Sequence, residues 1–207
     1  MESGRKAQAA RNDERILEAG REVFIADPAA PIADVAKRAG VGISALYRRY
    51  PSKEDLLRAL CADGLRRYIG AAEAAAADEG DPGQAFAAFM ERVVAAEAAS
   101  LTQRLAGTFQ PDEDLYRAAA YAGELNRKVF DRAQQAGAIR PDADVNDLGV
   151  IFEQLASIKL GDDERTHALR RRYLALALDG LRAHPDDSMP GPPPSAEELT
   201  KRWNPNQ

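Results

Sequence analysis

Apolar residues recur every three or four positions along most of the chain, the spacing of helices that bury one face. From Asn12, read as an N-cap, Ile16, Leu17, Ala19, Val23 and Phe24 form such a stripe until Asp27-Pro28 stops it. Pro31 suits the first turn of a short second helix carrying Ile32, Val35, Ala36 and Ala39 and ending at Gly40. Ile43, Leu46, Tyr47 and Tyr50 predict a third, closed because Pro51 bars Tyr50 from the helical region. Ser52 and Asp55 make a relative of the capping box for a long fourth helix through Leu56, Leu57, Leu60, Leu65 and Ile69 to about Ala77. Asp81-Pro82 restarts the pattern with Phe86, Phe89, Met90 and Val93.

A shorter stretch runs from Ser100 to Phe109. Asp112 then caps a helix through Leu115, Ala122, Leu125 and Val129 that Gly137 closes. Asp144 with Asp147 opens the next, through Leu148, Ile151, Phe152, Leu155 and Ile158 to Gly161. The last long helix, about Asp163 to Ala183, carries Leu169, Tyr173, Leu174, Leu178 and Leu181. The tail from Pro185 is too rich in proline for a packed element, but Ser195 and Glu198 form a capping box for a short terminal helix ending near Trp203. Trp203 either anchors that tail on the body or hangs free.

Composition supports the pattern. Alanine supplies 41 of 207 residues, whereas valine, isoleucine and threonine together supply 20, so an all-α fold of about nine helices is expected. The single cysteine, Cys61, excludes an intramolecular disulfide framework, and no paired Cys or His spacing offers a zinc site. No cofactor is implied. The polar N-terminus lacks a signal-peptide core and no apolar run is long enough to span a bilayer, so a cytoplasmic protein is expected. An enzyme is disfavoured: His167 and His184 have no matched nucleophile, and GxSxG, HExxH and P-loop motifs are absent.

The net charge of −5 is unevenly distributed. Residues 1–60 hold 11 basic against 9 acidic side chains, and the remainder 17 against 24. An anionic partner would therefore dock on the N-terminal segment, although a surplus of this size also suits a merely solvated surface. Within it, residues 32–50 read as two short helices about Gly40, with Ala36 small enough for a close crossing. That is the pattern of a helix-turn-helix, whose second helix enters the major groove of DNA. The same spacing also occurs in ordinary helical hairpins.

The sequences Ile16-Leu17-Glu18-Ala19, Asp34-Val35-Ala36, Ala39-Gly40-Val41, Leu46-Tyr47-Arg48-Arg49-Tyr50 and Ser52-Lys53-Glu54-Asp55-Leu56-Leu57 together resemble the DNA-binding domain of the tetracycline-repressor (TetR) family. Ala133 to Asp142, followed by Asp147-Leu148, looks like the start of that family's dimerisation region. The resemblance implies a DNA-binding domain over 1–52, a ligand-sensing and dimerisation domain over 53–183, and a tail over 184–207. It further implies a repressor that binds a palindromic operator as a homodimer and is released by a small effector. Residues 42–48 match the recognition helix, and Tyr47 and Lys53 the phosphate contacts. The expected DNA-binding set is Gly42, Ile43, Ser44, Ala45, Tyr47, Arg48, Arg49 and Lys53, with Arg48 the best reader of guanine.

Gly42, Ser44 and Ala45 depart from the family's commoner Ser, Gly and Thr, and Pro31 replaces a frequent threonine. These departures keep open a second class, a helical interaction protein or a regulator without specific DNA binding. For the effector, Phe86, Phe89, Met90, Val93, Leu101, Leu105, Phe109, Tyr121 and Leu125 are the expected lining. Glu97 would be a counter-charge for a mostly apolar, cationic molecule. Such a stripe also serves as plain core. Leu148, Phe152 and Leu155 on one helix and Leu174, Leu178 and Leu181 on the next are expected at the dimer interface.

Overall fold

Local chemistry sets where each helix begins and ends. The computed structural model describes residues 2–96, 105, 108–182 and 188–201, and among these there are nine α-helices and no strand. They are α1 (Glu2–Ala26), α2 (Ile32–Ala39), α3 (Ile43–Arg49), α4 (Lys53–Ala77), α5 (Pro82–Ala95), α6 (Glu113–Gln135), α7 (Asp147–Ser157), α8 (Asp163–Leu181) and α9 (Ala196–Lys201). Four starts are capped by aspartate or serine. Asp81, Asp112 and Asp162 accept from the backbone amides of Gln84, Leu115 and Arg165, and Ser52 makes a complete capping box with Asp55. Gly40 and Gly137, at φ 63° and 73°, reverse the chain after α2 and α6 in the left-handed region, which costs glycine little.

The boundaries depart from expectation in three places. α1 begins ten residues before Asn12, because an alanine- and arginine-rich run propagates a helix with no apolar stripe, and Asn12 accepts from Gln8 within it. Pro31 takes the cap position rather than the first turn. α7 begins at Asp147, whose carboxylate accepts from the Asp144 amide, and stops at Ser157. The expected Ser100 to Phe109 helix falls mostly outside the described residues, as do His184 and Trp203.

Burial divides into two cores. The head core joins Ile16, Phe24, Val35 and Leu46 to the first half of α4, Leu56 to Cys61. The body core joins Ala72 and Ala75, further along α4, to Phe86, Phe89, Phe130, Leu148, Phe152 and Leu174. α4 is thus a shared rod between them. A buried ionic hub fastens it to α1. Asp63 receives Arg21 at 2.6 Å, Arg66 at 2.7 Å and Arg67 at 3.1 Å, while Arg21 also pairs with Glu18.

The linker after α6 is clipped to the end of α8. The Arg140 amide donates to the Leu181 carbonyl at 3.0 Å, and Gln134 Nε2 donates to the carbonyls of Arg140 and Ala143. The tail returns to the same place, since the Met189 amide donates to Asp142 at 2.7 Å. Leu199 of α9 lies close enough to Gly149 that a Cβ there would meet it at 3.7 Å. No helix among the described residues is long and apolar enough to cross a membrane.

Candidate nucleic-acid interface

The short helix α3 is held from one side only. Its Leu46 is fully buried and Tyr50 nearly so, whereas Ile43 is 40% and Tyr47 46% exposed. Ser44 and Arg48 are exposed on the same side as these two, as the spacing i, i+1, i+4, i+5 requires. The turn before α3 is built by the Schellman pattern at Gly40. The Val41 amide donates to Ala36 at 3.0 Å and the Gly40 amide to Lys37 at 3.2 Å, which brings α2 and α3 together over Ala36. At the start of α3, Gly42 supplies no side-chain cap. Arg48 and the Tyr47 hydroxyl make no ion pair or hydrogen bond among the described residues. A short helix on a packed scaffold thus presents a phenol, a hydroxyl and an unpaired guanidinium outward.

Two members of the expected set are engaged elsewhere. Arg49 donates from Nε and a terminal nitrogen to the two oxygens of Asp13 on α1, at 2.8 and 2.9 Å, and lies over the Tyr50 ring. Tyr50 donates to the same carboxylate at 2.6 Å. The Arg49 bonds hold the Asp13 carboxyl below its ordinary value, and burial, then Asp13, pushes the Tyr50 phenol up. Lys53 is not a free cation at a helix start. Its ammonium donates to the carbonyls of Pro28 and Ala30, at 3.1 and 2.8 Å, and sits 5.1 Å from the centre of the Phe24 ring. Both side chains brace the head from within. Their partners lie in distant stretches of the chain, and only Asp13, an acid on an otherwise ordinary helix face, offered a faint signal.

The expected effector lining is not one surface. Phe86, Phe89, Met90 and Val93 are buried in the body core, where Phe86 meets Phe130 edge to face and Phe89 meets Tyr68 and Phe152. Leu125 packs at its margin. Leu105 and Phe109 belong instead to the head core. Beside them the Gln110 amide donates to Glu54, and Arg58 donates to the Gln110 carbonyl at 3.1 Å, which ties the approach to α6 onto α4. Tyr121 lies at the surface, donating to Glu73 at 2.9 Å. Glu97 and Leu101 lie outside the described residues.

The expected dimer residues point inward. Leu148, Phe152, Leu155, Leu174 and Leu181 are buried in this chain's own core, and Leu178 packs against it. What α7 and α8 turn outward is a second apolar set. Tyr173, Leu176 and Leu160 are about half exposed or more, and Ile151, Ile158 and Ala177 join Tyr173 and Leu160 in an open groove.

Comparisons with known proteins agree with this arrangement. Residues 16–60 match the family model for bacterial regulatory proteins of the tetR family, and residues 81–183 match the C-terminal domain of SbtR-like transcriptional regulators. A TetR transcription regulatory protein from Mycobacterium vanbaalenii is 32% identical, with 86% of this chain aligned to 99% of that one at a TM-score of 0.58. The HTH-type transcriptional repressor LfrR of Mycolicibacterium smegmatis is 38% identical over 82 residues, which span 40% of this chain and 39% of that relative. The structure of LfrR from Mycobacterium smegmatis in complex with proflavine shares the fold, at 23% identity over 80% of this chain and 95% of that one, with a TM-score of 0.58. These relatives regulate transcription and are not enzymes. With a helix-turn-helix head over a helical body, the chain belongs to the TetR family of transcriptional regulators.

Proposed function

We propose that the chain is a transcriptional repressor that binds a palindromic operator as a homodimer and is released by a small effector. The observation that carries the reading is the outward face of α3, where Arg48 stands unpaired beside exposed Tyr47. In the major groove, Arg48 reads guanine through two hydrogen bonds, Ile43 and Ala45 meet a thymine methyl, and Tyr47 with Ser44 donates to phosphate. Gly42 allows close approach of the backbone. Arg49 and Lys53 act indirectly, by fixing α3 and the start of α4 against α1.

A palindrome needs two heads set about one turn of DNA apart, roughly 34 to 36 Å. The outward stripe of Tyr173, Leu176, Ala177 and Gly180 on α8, with Ile151 and Ile158 of α7, is the natural surface for the second copy, since large apolar side chains are otherwise left in water. The effector is a mostly apolar molecule that enters the body beside α5, a cation if Glu97 faces it. The relative LfrR, a repressor whose structure holds proflavine, supports both repression and an effector of this kind. Because Phe86, Phe89 and Met90 are packed, entry separates α5 from α6, and the Gln110 contacts with Glu54 and Arg58 carry the shift to α4.

Fluorescence anisotropy of the full chain on DNA from upstream of its own coding region, across a salt series, tests the reading. Saturable binding that is sequence-dependent, and weakened by salt along a log-log line, is expected. Binding equal to that on scrambled DNA of the same length overturns it.

A further inference from the structure

A second cavity lies where the DNA-binding head meets the start of α8, apart from both the outer face of α3 and the aromatic core. Its volume is about 410 Å³, within the range of small-molecule sites. Its walls come from α1, α2, α4, α5 and α8, so anything bound there touches head and body together. Part of the wall is apolar, formed by Ile25 and Ala26 at the end of α1 and Ala95 and Ala96 at the end of α5.

The rest is cationic. Arg170 lines the cleft with 4% of its surface exposed and donates to the Ala156 carbonyl at 3.1 Å. Arg67 shares the single carboxylate of Asp63 with Arg21 and Arg66, so its positive charge is only fractionally offset. Lys159 borders the cleft and makes no ion pair among the described residues. Among the described residues, five cationic linings, Arg21, Arg38, Arg67, Lys159 and Arg170, face Glu18, Glu22 and Asp163, with Asp63 behind. The cleft is therefore positive in a chain whose net charge is −5. A guanidinium removed from water attracts an anion more strongly than an exposed one, because the surroundings screen it less.

We propose that this cleft binds a small carboxylate with a short hydrocarbon body. The carboxylate lies among Arg67, Lys159 and Arg170, and the hydrocarbon lies against Ile25, Ala95 and Ala96. An inorganic anion would leave the alanine and isoleucine wall wet, and a neutral alcohol would leave the positive charge unanswered. The inference stands apart from the operator reading, because its test involves no DNA.

Isothermal titration calorimetry of the full chain with hexanoate is the experiment, with acetate, 1-hexanol and sulfate as comparisons. Hexanoate is expected to saturate a single site per chain, with acetate weaker by about tenfold for lack of apolar contact. 1-Hexanol should show no saturation, and sulfate should displace hexanoate only at much higher concentration. Arg67→Gln and Lys159→Gln, both at exposed positions, are each expected to raise the hexanoate Kd by about tenfold while thermal melts stay cooperative. Failure of hexanoate to saturate overturns the proposal. So does 1-hexanol binding as tightly, sulfate or acetate competing on equal terms, or wild-type affinity in both variants.

Discussion

The carboxylate of Asp13 on α1 takes both forks of the Arg49 guanidinium at the end of α3, at 2.8 and 2.9 Å, and the Tyr50 hydroxyl as well. This fixes the angle at which α3 leaves the head. Arg49→Ala should lower stability by about 1 kcal/mol, the scale of a well-formed pair near the surface. It should also weaken binding to all DNA sequences alike, because it loosens the helix rather than deleting a base contact. Urea unfolding and anisotropy on operator variants check both; a changed sequence preference would place Arg49 in the groove instead. Asp13 has its folded pKa below the unfolded one, so its stabilisation is complete above about pH 4 and lost as pH falls further. Asp13→Asn should flatten that acid limb.

Arg48→Ala should cost about 1 to 3 kcal/mol of operator affinity and relax discrimination at one position in each half-site. Competition among single-base operator variants is the measurement. Unchanged affinity and preference would remove α3 as the reading helix.

Lys53 behaves differently from a phosphate contact. Lys53→Met keeps the aliphatic stem but removes two bonds to loop carbonyls and the cation over Phe24. The loss, about 2 kcal/mol, should therefore appear in the DNA-free protein. Chemical denaturation that gives the wild-type midpoint would show the ammonium unbound in solution.

Leu176 and Leu174 lie two residues apart on α8 and face opposite ways, one 57% exposed and the other buried. Leu176→Arg should yield a folded monomer, whereas Leu174→Ala should lower unfolding free energy by about 2 to 5 kcal/mol. Sedimentation velocity at micromolar concentration separates the two. A dimer that survives Leu176→Arg would place the interface on another face.

Asp142 ties the tail to the body. The Arg140 guanidinium first, and the Met189 amide second, bring its carboxyl down to about 2. The unfolded value is about 3.9, so the contact's stabilisation is full above that pH and fades as pH falls toward 2. The Met189 amide resonance should titrate with that low midpoint and lose the transition in Asp142→Asn. A midpoint near 4 would mean that the tail is detached.

Helix ends were legible because caps are local chemistry. Ser52 with Asp55, Ser195 with Glu198, and Asp81 before Pro82 each act within four residues, and the helix-turn-helix follows from Gly40 and the stripe around it. What covers a stripe was not legible. Leu148, Phe152 and Leu174 read as a surplus apolar face awaiting a second copy, yet α5 packs on them within one chain. Phe109 and Phe89 share a helical spacing pattern but fall in different cores, because the chain turns between them. Arg49 and Lys53 read as exposed cations for want of any local sign that Asp13, Pro28 and Ala30 would meet them.

The hub at Asp63 makes the junction of α1 and α4 unevenly tolerant of mutation. Arg66 or Arg67 can be exchanged singly with little consequence, since the carboxylate keeps other partners. Loss of Asp63 instead strands Arg21, only 9% exposed, beside two like charges, a change on the scale of about 3 to 5 kcal/mol. Drift in related sequences should therefore run in one order, with the outer arginines varying freely, and Asp63 changing only after Arg21 has become neutral.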